Sequence, residues 1–97
     1  MLGIINQVFE IDKKATENKL DTFKRNTDRL YNEFEEMGYK IVNPIGAIYD
    51  PRDTWAEANI VSDKNTEMFI TKVIKPAVYK TDGTAYQLIQ KAIVIVE

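Results

Sequence analysis

A chain of 97 residues without a single histidine or cysteine lacks the commonest general base, the commonest thiol nucleophile and the best zinc ligands, so neither an enzyme nor a protein with a metal or other cofactor is expected. Thirteen basic and fifteen acidic residues leave a net charge of −2, divided as seven and eight up to Lys40 and six and seven beyond it; neither half has the basic face of a nucleic-acid binder. The apolar start Met1-Leu2-Gly3-Ile4-Ile5 is too short to span a bilayer and does not read as a signal peptide, which points to a cytoplasmic protein that binds other macromolecules.

The first eleven residues carry two neighbouring apolar lines, Leu2, Ile5 and Phe9 beside Ile4, Val8 and Ile11. That is a short helix with a broad apolar stripe, which must be covered. Residues 12–15 read as a polar connection, and Thr16 or Asn18 offers a side-chain cap for a second helix. Between residues 16 and 37 there is no glycine or proline, and Leu20, Phe23, Leu30, Phe34 and Met37 follow a three-four alternation with Thr27 filling the missing step. Gly38 closes the helix as a left-handed cap. Two helices alone make a poor core, so a helical hairpin over residues 1–38 is expected to pair with a second copy as a four-helix bundle, through Leu20, Phe23, Leu30 and Phe34. The competing reading is that the same stripe packs against the rest of its own chain.

Beyond Gly38 the pattern becomes extended, and residues 39–97 read as a small, mainly antiparallel β domain; the fold class is α+β. Tyr39-Lys40-Ile41-Val42 alternates, Asn43-Pro44 interrupts, residues 45–49 resume, and Asp50-Pro51-Arg52-Asp53 turns. Residues 55–61 lead to a polar turn at Ser62-Asp63-Lys64-Asn65, and a long strand follows over residues 66–80, irregular at Pro76. Thr81-Asp82-Gly83-Thr84 is a hairpin signal, and the last strand, residues 86–96, ends in Ala92-Ile93-Val94-Ile95-Val96, apolar on both faces as a central strand is. Trp55, the only tryptophan, reads as an interface anchor or as core. The scattered tyrosines lack the basic groove that a stacking platform for single-stranded nucleic acid needs.

Several of these segments, in order, resemble the carboxyl-terminal portion of the GrpE family, the nucleotide exchange factors of DnaK-type chaperones. Met37-Gly38-Tyr39-Lys40-Ile41 is similar to the segment closing the family's second bundle helix. Asn43-Pro44-Ile45-Gly46, Tyr49-Asp50-Pro51 and Glu57-Ala58 look like its proline-x-glycine, phenylalanine-aspartate-proline and histidine-glutamate-alanine words, and Ile70 to Tyr79, Asp82-Gly83 and the final apolar run resemble its last hairpin. The resemblance implies a homodimer whose β domain, a GrpE-like head, binds a DnaK-type ATPase domain and promotes release of ADP, with contacts near Pro51, Ile74, Gln87 and Val96. Each contact position has a plainer reading: Pro51 as a turn former, Ile74 and Val96 as core, Gln87 as a solvated strand residue. Gln87 and Gln90 stand among the positions where the family has arginines, and glutamine cannot replace a charged fork. An adaptor that keeps the fold without the chaperone contact is therefore the alternative.

Overall fold

The computed structural model describes residues 1–61 and 68–97; the expected turn at Ser62–Asn65 and the first residues of the long strand lie outside the described residues. Two helices, α1 (Leu2–Glu17) and α2 (Lys24–Glu36), precede seven strands: β1 (Tyr39–Val42), β2 (Ile48–Tyr49), β3 (Ala56–Ile60), β4 (Met68–Lys75), β5 (Ala77–Thr81), β6 (Tyr86–Gln90) and β7 (Ala92–Val96). The chain is α+β, with every strand pair antiparallel except β3 with β7.

The helical region differs from its sequence reading in where it breaks. Residues 12–15, expected to be a connection, are helical, and α1 runs on to Glu17. The helix stops through hydrogen bonds from Lys19 N–H to Thr16 C=O (3.1 Å) and from Leu20 N–H to Ala15 C=O (2.8 Å), with Lys19 at φ 55°. This is the six-to-one and five-to-two pattern that ends many helices, usually with glycine in the left-handed position. Here a lysine occupies it, so a search for glycine passes over the break. Thr16 and Asn18, expected to cap the second helix, instead donate to the Asp12 and Lys14 carbonyls at 2.9 and 2.8 Å. They satisfy the end of α1, and α2 starts only at Lys24 without a side-chain cap. Gly38 does end α2, at φ 90°. Its carbonyl accepts from Thr81 N–H (2.9 Å), so the chain passes from helix into sheet across one residue.

The two long strands expected near the C-terminus are each divided. Pro76 has no N–H to give and separates β4 from β5, and Lys91 separates β6 from β7. The halves enter different sheets: β5 lies between β1 and β6 in a three-stranded sheet, and β4 and β7 form the middle of a four-stranded sheet ordered β2-β4-β7-β3. Residues 68–96 are thus one long antiparallel hairpin bent at a corner, with register shifts on either side of Pro76. Bulges at such a corner increase local twist and let one ribbon serve two sheets. As its two-faced apolar run implied, β7 is central.

Alternation along the strands distributes the core. From β5, Val78 faces the helices and packs with Ile5, Val8 and Phe34, beside Tyr39 and Ile41 of β1. Its neighbours Ala77 and Tyr79 turn the other way, toward Ile70, Val73, Val94 and Val96 of the four-stranded sheet. Phe9 of α1 joins that second cluster, and Trp55 packs against it. Burying a side chain such as Ile5 or Ile70 contributes roughly 1.5 to 3 kcal/mol, and these contacts make helices and sheets cover one another.

Candidate protein-binding surfaces

The four residues of the helical stripe divide into an exposed set and a buried one. Leu20 and Phe23 lie at the turn between α1 and α2, 53% and 51% exposed, where they line a shared hollow with Ala15 and Thr27; Leu30 on α2 is 42% exposed. Phe34 is 3% exposed, held by Ile5, Val8 and Val78 of its own chain and met edge-on by Tyr31 at 6.4 Å between ring centroids. Thr27, the polar step in the heptad, is buried; its hydroxyl donates to the Lys24 carbonyl (3.0 Å) and to the Asp12 carboxylate (3.3 Å), tying α2 to α1. Because that hydroxyl is hydrogen-bonded, a polar residue can be buried at that step.

Of the four positions near which the resemblance puts a chaperone contact, three are exposed and one is not. Pro51 sits in the turn after β2. The turn is held by Asp50, whose carboxylate accepts from Arg52 N–H at 2.9 Å and from its guanidinium at 2.8 Å. That guanidinium, first by hydrogen bonding, lowers the Asp50 pKa to about 2. Ile74, on β4 of the four-stranded sheet, is 39% exposed, and Gln87 is exposed on β6 of the three-stranded sheet. Val96 is fully buried, paired with Ile70 on one side and Ile60 on the other. Pro51 and Ile74 therefore share one sheet system, Gln87 belongs to the other, and Val96 supports the surface from beneath.

Alternation about the buried Ile70, Val73 and Val94 places Phe69, Ile74, Ile93 and Ile95 on the opposite face of the four-stranded sheet. Ile48 is the register partner of Phe69, and both side chains are largely exposed. Phe69 also exchanges backbone hydrogen bonds with Glu97 at 2.9 and 3.0 Å. This apolar face was not evident from the sequence, where Ile48 and Phe69 read only as members of separate strands; their pairing across β2 and β4 makes it. Gln90, by contrast, is used internally. Its side-chain amide donates to Asn6 and to the Pro76 carbonyl, each at 2.9 Å, and its oxygen accepts from Asn6.

Among the described residues no group of three or more carboxylates is placed to hold a metal ion, and no helix is long and apolar enough to cross a membrane. Comparison with known proteins finds no matching family model, no matching curated protein and no matching solved structure.

Proposed function

We propose that this chain is a protein-binding module and, more specifically, a GrpE-like co-chaperone of the cytoplasm that dimerises through its helices and promotes ADP release from a DnaK-type ATPase domain. The observation carrying the reading is the ordered set of sequence words from Gly38 to Val96. Their placement supports it: Gly38 ends a helix, Asp50-Pro51 and Asp82-Gly83 occupy turns, and the final apolar run is a central strand. In a dimeric four-helix bundle the seam would use Leu20, Phe23 and Leu30, with Phe34 fixing α2 from behind.

The mechanism requires no bond chemistry. A partner that alternates between closed and open nucleotide clefts is driven open by a surface that binds the open form better. Moving such an equilibrium from 1:99 to 99:1 takes about 5.5 kcal/mol of differential binding. An interface of roughly 800 Å² per partner can supply this when a few apolar anchors are well buried. Exposed Ile74 on β4 is one such anchor, and Pro51, in its hydrogen-bonded turn after β2, is a second contact position. The test is release of labelled ADP from a preloaded DnaK-type ATPase domain. Acceleration saturating with protein concentration is expected, and an unchanged rate at saturating protein would defeat the proposal.

One observation favours the adaptor alternative. Gln90 is engaged with Asn6 and Pro76 and so is not free to replace an arginine contact. Affinity capture discriminates the two readings: a DnaK-type chaperone as the main partner supports the exchange factor, and its absence together with an unchanged ADP rate supports the adaptor.

A further inference from the structure

The four-stranded sheet ends on one side at β2, which has two residues, and on the other at β3, which has five. β3 runs parallel to β7 from Ala56 to Ile60 without a register shift. Its bonds to β7 begin with the Trp55 carbonyl accepting from Ala92 N–H (2.9 Å) and end with Val61 N–H donating to the Val96 carbonyl (3.1 Å). Successive residues of a strand direct their backbone groups to opposite sides, so Glu57 and Asn59 also serve this ladder. Ala56, Ala58 and Ile60 direct N–H and C=O the other way, where no strand lies among the described residues.

Sheet edges are usually blunted by brevity, bulges, proline or lysine. β2 is brief, β1 carries Lys40, and β6 meets β5 through an irregular register. β3 has none of these devices in its sequence Ala56-Glu57-Ala58-Asn59-Ile60. Its core-facing side also stops short of full cover. Val96 is fully buried, yet its register partner Ile60, at the margin of the sheet, is 54% exposed.

We propose that β3 pairs antiparallel with β3 of a second copy about a two-fold axis at Ala58, joining two four-stranded sheets into one. Such a contact sets residue i against j and j against i. Ala58 meets Ala58, Ala56 meets Ile60 of the second copy, and Glu57 meets its Asn59. The small Ala56 leaves room for the Ile60 side chain, which the contact covers. Glu57 faces an amide that can donate to it, whereas an axis at Glu57 would oppose two carboxylates. All five residues pair, and the backbone groups of Ala56, Ala58 and Ile60 gain partners. The strand is thus complementary to itself in size and in charge, which favours a second copy over an unrelated extended segment. None of these residues belongs to the helical seam or to the expected chaperone contacts, so the inference depends on neither.

Five residues a side is well below the roughly 20 to 30 of a standard interface, so the association is weak and is sought at high concentration. The experiment is sedimentation of the full chain carrying Phe23→Glu and Leu30→Glu, which removes the helical seam, from about 10 μM to 1 mM. A monomer giving way to a dimer over this range is expected. Amide exchange at Ala56, Ala58 and Ile60 should slow severalfold with concentration, more than at Glu57 and Asn59, which are already bonded to β7. In the same background Asn59→Glu, at an exposed position, sets Glu57 against a like charge and should weaken the dimer about tenfold with the fold's spectrum unchanged. Adding Glu57→Lys should restore it. A monomer throughout the range, unchanged exchange at the three amides, or full association in Asn59→Glu would overturn the proposal. Failure of Glu57→Lys to restore pairing would overturn the axis at Ala58.

Discussion

Asn6 on α1 and Gln90 on β6, 84 residues apart in the chain, exchange two side-chain amide hydrogen bonds of 2.9 Å each. Gln90 gives a further bond to the Pro76 carbonyl, at the corner where the long hairpin changes sheets. One amide pair therefore fixes both the bend of the hairpin and the position of α1 over it. Asn6→Ala leaves part-buried amide groups of Gln90 unpaired, a loss of about 1 to 3 kcal/mol. In a denaturation double-mutant cycle with Gln90→Ala, a coupling of roughly 0.5 to 3 kcal/mol is expected; additive effects would show that the pair does not act as a unit.

Lys19 carries the backbone strain at the end of α1. The left-handed conformation costs an ordinary residue about 1 to 2 kcal/mol, whereas glycine adopts it freely and loses part of the advantage through its greater freedom when unfolded. Lys19→Gly should raise stability by roughly 0.5 to 1 kcal/mol, measured by urea denaturation. A decrease would mean that Lys19 does not hold this conformation in solution.

The packing of Ile5 against Val78 of the three-stranded sheet, and of Ile70 with Val94 of the four-stranded sheet in the cluster that Ala77 of β5 also joins, predicts one cooperative unit. Ile5→Ala and Ile70→Ala should each cost about 2 to 5 kcal/mol, and each should move a single transition seen by both helical and aromatic signals. Two separable transitions, with Ile5→Ala moving only the helical one, would contradict the shared core.

Asp82 organises the β5–β6 turn, accepting from the Thr84 hydroxyl at 2.7 Å and from the Thr84 and Ala85 amides at 2.9 and 3.3 Å. These bonds, the Thr84 hydroxyl first, lower its pKa to about 2. A carboxylate whose pKa is depressed by folding stabilises the folded state fully above its unfolded value near 3.9, and that contribution is lost as the pH falls toward about 2. A carboxyl-carbon titration by NMR should place the Asp82 midpoint near 2, and Thr84→Val should move it upward. An unmoved midpoint in Thr84→Val would remove the hydroxyl as the main cause.

Phe23 and Leu30 are exposed on the helical side while Phe34 is committed to the monomer core. Sedimentation at micromolar concentration is expected to show a dimer, and Phe23→Glu with Leu30→Glu should weaken association at least tenfold, or about 1.4 kcal/mol, while leaving the fold intact. A monomer of the unaltered chain would rule out the proposed bundle.

The α+β class, the end of α2 at Gly38, the turn at Asp82-Gly83 and the central place of β7 were legible in the sequence, because each depends on local chemistry or on a residue's own alternation. The break after Glu17 was not, because a lysine holds the position where glycine is the readable signal. The seam of the heptad was legible as a stripe, but its division into exposed Leu20, Phe23 and Leu30 and buried Phe34 depends on where the chain turns between α1 and α2 and on which part of α2 meets Val78. The hollow where α1, α2 and β1 meet was invisible for the same reason: Asp12, Tyr31, Glu35 and Tyr39 are spread over three elements, and only packing brings them together. Absent histidine and cysteine and balanced charge follow from the sequence alone and set the expectation of a binding protein. Which surfaces remain open for binding was decided by the tertiary structure, since a side chain's exposure depends on what folds over it.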